Sequence, residues 1–386
     1  MSATGATHLD SWERWDVDAL LDNPATRIIV CCGSGGVGKT TTAAALALRA
    51  AERGRRVCVM TIDPARRLAQ SMGLTELDNE PRPVVGVEGP GELSAMMLDM
   101  KRTFDEMVED HADPERTEQI LSNPFYIALS SSFAGTQEYM AMEKLGRLRA
   151  EADAEGTWDL IVVDTPPSRS ALDFLDAPAR MGSFLDGRFI RLLTAPARTA
   201  GKGLGRLVSA GFGVFTGVLN KVIGAQVLKD LQAFVGAFEA LFGGFRERAE
   251  ATYALLQEPG TSFVVVAAPE ADALREASYF VERLEAEKMP LAGLVLNRVQ
   301  LTRAPTLSAE QALAGAERLD DSNPGAVTAA LLRLHAQHLA TRARQHHLAQ
   351  RFSGAHPSVA IVEVPAFAGD VHDLTGLRSV GEHLAG

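Results

Sequence analysis

Cysteine is scarce in this chain: three residues in 386, namely the neighbours Cys31 and Cys32 and the separate Cys58, with no CxxC among them. That excludes a disulfide framework and suits a reducing compartment. Basic charge is also in deficit, 38 Lys and Arg against 49 Asp and Glu, for a net charge of −11. A surface built for nucleic acid needs a basic face, so no nucleic-acid partner is expected. Long apolar runs are missing too. Gln119–Gln137 is uncharged but interrupted by Asn123, Pro124 and Ser130–Ser132, and Leu207–Asn220 is short and broken by Gly211, Gly213 and Gly217. Neither makes a stable membrane span. The first residues, MSATGATHLDSWERWD, lack the apolar core of a signal peptide, so a cytoplasmic protein is expected. No internal repeat is present.

What the chain does have is a strand, a glycine turn and a helix in succession. Arg27–Cys32 reads as a buried strand, and Thr40–Arg53 as an alanine-leucine helix that Gly54 can cap. Between them, Gly33-x4-Gly38-Lys39-Thr40 has the spacing of a phosphate-binding P-loop. Gly35, Gly36 and Gly38 carry no side chains, so backbone N–H groups can close around phosphate oxygens. The helix starts there, and its unsatisfied N–H groups add positive potential. The candidate cradle for ATP is therefore Gly33, Ser34, Gly35, Gly36, Val37, Gly38, Lys39, Thr40 and Thr41, with Lys39 on the β- and γ-phosphates and the Thr40 hydroxyl on Mg²⁺.

Further along, apolar runs end in acids. Arg56–Asp63 and Trp158–Asp164 read as central parallel strands, each closing on a carboxylate. A right-handed βαβ crossover brings Asp63 near the P-loop. Asp164 is placed to hold Mg²⁺ through water, and Asp63 to orient or deprotonate the attacking water. Leu93–Leu98 is another strand, Asp78–Gly91 with its three prolines is irregular, and Lys101–His111 is an acidic helix. Thr261–Ala268, a helix over Glu270–Lys288 and Leu291–Asn297 form a second βαβ unit, followed by a strand at Val359–Val364 and a closing helix at Leu374–Leu384. The expected fold is α/β: a mostly parallel sheet flanked by helices, one domain over 1–386, with helical insertions at about 100–150 and 178–256.

The second insertion holds Thr194–Gly217, rich in glycine, and then an amphipathic helix. Leu231, Phe234, Val235, Phe238, Leu241, Phe242 and Phe245 recur at steps of three and four. Two readings stand: the stripe packs on the protein's own core, or it lines a groove for an apolar helix. Asn323–Gln350 reads as a long polar surface helix, and its pairs His335/His338 and His346/His347 lack carboxylates to complete a metal site.

The glycine loop resembles the deviant Walker A loop of the ParA, MinD and ArsA ATPases, with Ser34 where those proteins carry a lysine that reaches the partner subunit. Asp63-Pro64-Ala65 resembles switch I of the arsenite-pump ATPase family and of its relative that targets tail-anchored proteins. Asp164-Thr165-Pro166-Pro167-Ser168, followed by Leu172-Asp173-Phe174-Leu175, is similar to that family's switch II. ParA and MinD lack this pair of switches. Pro269-Glu270 and Asn297 match the family's nucleotide-contacting Glu and adenine-reading Asn, and Pro365, Ala366 and Phe367 match its adenine loop. The likeness runs from residue 27 to about 380 and is nearest to the actinobacterial anion-transporting branch, whose members often occur as two paralogues.

The resemblance implies a Mg²⁺-dependent ATPase that works as a homodimer, or as a heterodimer with a lysine-bearing paralogue. Its nucleotide state would gate an apolar-helix client or a membrane partner. It leaves two alternatives open: a nucleotide-sensing subunit with weak hydrolysis, and the energising subunit of an anion pump. The zinc staple of some targeting factors is not expected without a CxxC, nor an arsenite site from three cysteines on two strands. Ser34 removes a charge of the kind that stabilises transition states. Arg66, Arg67 and Arg169 in the switches are candidates to replace it, Arg169 first; otherwise they are solvated or paired with acids. Arg169→Ala should lower ATP turnover if that arginine supplies the charge. Unchanged turnover, in an assay where Lys39→Ala is inactive, rules it out.

Overall fold

The computed structural model describes residues 12–63, residues 67–166 other than 125, 128–129 and 131–135, and residues 247–385 other than 303, 305 and 320–324. Pro64 to Arg66, Pro167 to Leu175, and both the glycine segment and the phenylalanine stripe of the second insertion lie outside the described residues.

One sheet of eight strands holds the first unit together, in the order β3-β4-β2-β5-β1-β6-β7-β8. The strands are β1 (Ile28–Cys32), β2 (Arg56–Thr61), β3 (Arg82–Pro83), β4 (Glu92–Met97), β5 (Leu160–Asp164), β6 (Thr261–Ala267), β7 (Leu291–Val299) and β8 (Ile361–Pro365). All pairings are parallel except β3 with β4. The central strands β1, β5 and β6 are buried at every residue. Their largely apolar runs, rich in Val and Ile, are what a sheet covered on both faces requires.

The helices among the described residues include α1 (Val17–Asp22), α2 (Lys39–Glu52), α3 (Arg67–Ser71), α4 (Met100–His111), α5 (Pro114–Leu121), α6 (Thr136–Glu155), α7 (Ala271–Ala286), α8 (Ala309–Arg318), α9 (Ala326–Ala355) and α10 (Leu374–Ala385). The first unit spans Met1–Met97, Glu151–Leu172 and Leu255–Gly386; the second spans Leu98–Ala150 and Asp173–Ala254. In the first, α2 packs on β1, β2, β4 and β5, and α10 packs on α2. Ala43, Ala44, Ala47, Ala50 and Ala51 on α2 are buried, and such small side chains let the helix lie close to the sheet. In the described part of the second unit, α4 and α6 carry a buried Glu106–Lys144 ion pair at 3.2 Å, and the Tyr126 hydroxyl donates to Asp105 at 2.8 Å.

Two local expectations change. The 78–91 stretch is not wholly irregular: Arg82 and Pro83 form a short antiparallel edge strand opposite Ala95 and Ser94. An edge position tolerates proline because no N–H is needed on its open side. Strand β7 also continues past Asn297 to Val299, with a bulge against β8 between those residues and Arg298 at φ 63°.

The amino-terminal edge of the sheet is fastened by a side chain that periodicity does not reveal. Arg55, between α2 and β2, donates from Nε to Asp159 Oδ1 at 2.8 Å and from its other nitrogens to the carbonyls of Leu21, Asn23, Thr26 and Asp159 at 2.6–3.1 Å. One guanidinium thus ties α1 and the approaches to β1, β2 and β5 together, and removing it strands several carbonyls and a carboxylate. Arg55→Met should cost roughly 2–4 kcal/mol of unfolding free energy in a denaturant titration, with turnover per folded molecule unchanged.

Candidate functional site

Parallel pairing puts the carboxyl ends of seven strands on one edge, and register decides which residues meet there. On β5, Asp164 lies opposite Cys31 of β1 on one side and Thr61 of β2 on the other. Asp164 therefore sits between the strand that enters the glycine loop and the strand that leads to Asp63. Its carboxyl group is fully buried, with Oδ2 accepting from the Thr61 hydroxyl at 2.8 Å. The same Thr61 oxygen accepts the Asp63 N–H at 3.2 Å, so one hydroxyl links the two acids. Just past the end of β5, the Thr165 hydroxyl donates to the Cys31 carbonyl at 2.8 Å.

Asp164 Oδ1 has no hydrogen-bond partner among the described residues. Burial pushes this carboxyl up to about 6, against the pull of the Thr40 and Thr61 hydroxyls and of the Lys39 charge, while Asp63 adds to the rise. A buried acid with an open oxygen beside a threonine hydroxyl fits a hydrated divalent cation. That oxygen is the observation by which these residues suit Mg²⁺.

The loop is held in a shape that side chains would forbid. Gly33 has φ 151°, and a Cβ there would lie 2.1 Å from the Val266 carbonyl oxygen of β6. Gly38 adopts the left-handed conformation (φ 97°, ψ 26°) and opens α2. Gly35 and Gly36 are exposed, Ser34, Thr40 and Thr41 are half-buried, and Val37 is buried. Lys39 is 6% exposed and donates from Nζ to the Ser34 carbonyl at 2.8 Å. Burial lowers its pKa, with Asp164, Cys32 and Asp63 working in the opposite direction. Ser34, the departure at the lysine position, thus meets Lys39 through its backbone.

On the other flank, Glu270 is exposed at the N-cap of α7, and Asn297 is half-buried near the end of β7. Pro365 is buried, and the Ala366 N–H donates to the Val299 carbonyl at 2.9 Å, which attaches this loop to β7. Phe367 is 37% exposed, its ring edge-on to His383 of α10 with centroids 5.8 Å apart. Arg67 is exposed at the start of α3, whereas Arg66 and Arg169 are outside the described residues. Cys31, Cys32 and Cys58 are all buried. Burial holds the Cys31 thiol well above its usual range and pushes Cys32 up to about 12, so neither offers a thiolate near neutral pH. Among the described residues no group of three or more His, Cys, Asp or Glu could hold a metal ion. On α9, His335 contacts the Leu307 carbonyl at 2.9 Å and His346 lies against Trp12.

The role of Thr61 escaped sequence reading because a threonine in an apolar strand looks like any β-former, and Thr165 entered only as part of the switch II likeness. The signal was position: Thr61 closes β2 two residues before Asp63.

A parallel sheet with a glycine loop after its central strand and a buried acid on the neighbouring strand defines a P-loop nucleotide-hydrolysing protein. Within that class the chain belongs to the anion-transporting ATPase family of the ArsA type, whose match covers residues 26–307, and it is an ATPase. It is 27% identical over 293 residues to the ATPase GET3 of Malassezia globosa, covering 76% of this chain and 78% of that one. It is 26% identical over 301 residues to the ATPase get3 of Schizosaccharomyces pombe, covering 77% and 80%. Over 156 residues it is 31% identical to the arsenical pump-driving ATPase of Acidiphilium multivorum, covering 40% of this chain and 26% of that protein. No helix among the described residues is long and apolar enough to cross a membrane.

The Asp164 carboxyl has a signature in stability. Held at about 6 rather than 3.8, it favours the fold when protonated and costs about 3 kcal/mol when ionised at neutral pH. Its contribution is fully present below pH 3.8 and is lost as pH rises through 6. Without nucleotide or Mg²⁺, Asp164→Asn should therefore melt higher than the wild type at pH 7.5. The gap should shrink as pH falls toward 5 in a thermal-shift series, and turnover should be abolished.

Proposed function

We propose that this chain binds Mg·ATP on the loop Gly33–Thr41, hydrolyses its β–γ bond, and works in the cytoplasm as a dimer whose nucleotide state gates a helical client or partner surface. The observation that carries the reading is the row Cys31–Asp164–Thr61, which sets a buried acid with an open oxygen beside the loop's Thr40 and Lys39.

In this reading each group has a defined task. The N–H groups from Gly35 to Thr40 and the start of α2 surround the phosphates. Lys39, its ammonium drawn across the loop by the Ser34 carbonyl, balances the charge that grows on the β- and γ-phosphates. Thr40 and, through water, Asp164 would hold Mg²⁺, which when bound neutralises phosphate charge. Asp63, whose backbone the Thr61 hydroxyl anchors, accepts a hydrogen bond from the attacking water and holds it in line. Glu270, Asn297 and the Pro365–Ala366–Phe367 loop receive the nucleoside on the β6–β8 side of the sheet.

The ATPase relatives named GET3, together with the sequence likeness to tail-anchor targeting, favour an apolar helix as client. The arsenical pump-driving relative keeps a pump-energising role in view. One observation favours a second reading: Ser34 stands where a lysine would reach across a dimer, so this subunit hydrolyses weakly alone and is completed by a lysine-bearing paralogue.

Steady-state ATPase rates of the chain alone and mixed with such a paralogue, with light scattering for the assembly state, test both readings. Mg²⁺-dependent turnover that vanishes in Lys39→Ala supports the site, and a rate per site that rises severalfold in the mixture supports the heterodimer. Equal rates per site end the heterodimer reading. No nucleotide binding at all would overturn the assignment of the loop.

A further inference from the structure

The bulge near the end of β7 has a consequence for the phosphate loop. Arg298 takes a left-handed conformation, φ 63°, which is uncommon for a residue with a side chain. Its N–H donates to Asn297 Oδ1 at 2.9 Å, and this orients the amide. Asn297 Nδ2 then donates to the Val37 carbonyl at 2.8 Å, spanning 260 residues of sequence. Because a carbonyl only accepts, the nitrogen must be the end that faces the loop. The approach is close enough that a Cβ on Gly38 would lie 2.2 Å from that nitrogen. Gly38 thus meets two demands, a positive φ of 97° and space for the Asn297 amide.

We propose that Asn297 is a positioning residue for phosphate binding: its amide braces the loop at Val37, so that the end of β7 sets the direction of the N–H groups that meet the phosphates. This rests on the reading of Gly33–Thr41 as the nucleotide site. It differs from a role confined to base contact. Anchoring uses one N–H of the amide and one lone pair of its oxygen, leaving one donor and one acceptor for a nucleobase. Base recognition and loop geometry therefore share a single side chain. An unbraced peptide between Val37 and Gly38 can rotate, and preorganised N–H groups bind anions better than mobile ones.

A ligand without a base separates the two roles. Binding of Mg·tripolyphosphate and of Mg·ATP to the full-length chain is measured by calorimetry for the wild type, Asn297→Ala and the near-isosteric Asn297→Leu, with thermal melts as the check on folding. Bracing predicts that both ligands weaken by a similar factor, roughly three- to tenfold for one lost hydrogen bond. It also predicts faster amide hydrogen exchange at Val37–Thr40 without any ligand. Loss of ATP affinity with tripolyphosphate affinity unchanged assigns Asn297 to the base alone and overturns the proposal, as does unchanged exchange in a folded variant. Failure of the wild type to bind either ligand would instead remove the nucleotide-site reading on which the proposal stands.

Discussion

A carboxyl group closed off from water at the end of a parallel strand is the constraint around which the rest of this site is arranged. Asp164 is flanked by β1 and β2, satisfied at one oxygen by Thr61 and open at the other. Left ionised and unpartnered, such a group opposes folding. The surrounding structure moderates that opposition with two threonine hydroxyls and the Lys39 ammonium, whose own pKa is depressed by the same burial. A cation near Oδ1, as the proposed Mg²⁺ would supply, relieves this opposition, and strained electrostatics of this kind are common at functional sites.

Thr61 makes this constraint reach further. Its hydroxyl donates to Asp164 and accepts from the backbone of Asp63, so the acid suited to the metal and the acid suited to the water are ordered together. On the opposite side of the loop, Asn297 braces Val37 and the Val266 carbonyl crowds Gly33. The loop is thus met by charge from Asp164 of β5 and from Asp63 beyond β2, and by hydrogen bonding and close contact from β7 and β6. An anion cradle made of backbone N–H groups needs such support, because the peptides themselves offer little resistance to rotation. Ser34 meets this frame through its carbonyl, which accepts from Lys39.

Much of this was legible in the residues. The buried strands from 27, 56, 158, 261 and 291 announced themselves by short apolar runs rich in Val, Ile and Leu, and the glycine spacing marked the loop. Strand-end acids marked Asp63 and Asp164. Less visible were the elements whose cause is not periodic. The pair Arg82–Pro83 lies in a proline-rich stretch and becomes a strand only because β4 offers an edge. Arg55 looks like an ordinary surface arginine after a helix until the approaches to three strands converge on it. Asn297 could be matched to a base-reading role by resemblance, but its grip on Val37 depends on a bulge that no pattern of hydrophobic residues encodes.

The sequence by itself determined the α/β class and the family, and it marked the glycine loop with Asp63 and Asp164 as the candidate site, because glycine, lysine and carboxylates at those spacings have few other uses together. Tertiary structure alone decided the strand order, and with it that Asp164 stands between Cys31 and Thr61. It also decided that one oxygen of Asp164 is left open and that the amide of Asn297 meets the loop. The physical reason is the range of the forces. Backbone preference and hydrophobic period act over a few neighbouring residues, whereas register and side-chain hydrogen bonds join residues 103 to 260 positions apart, and these exist only once the sheet has formed.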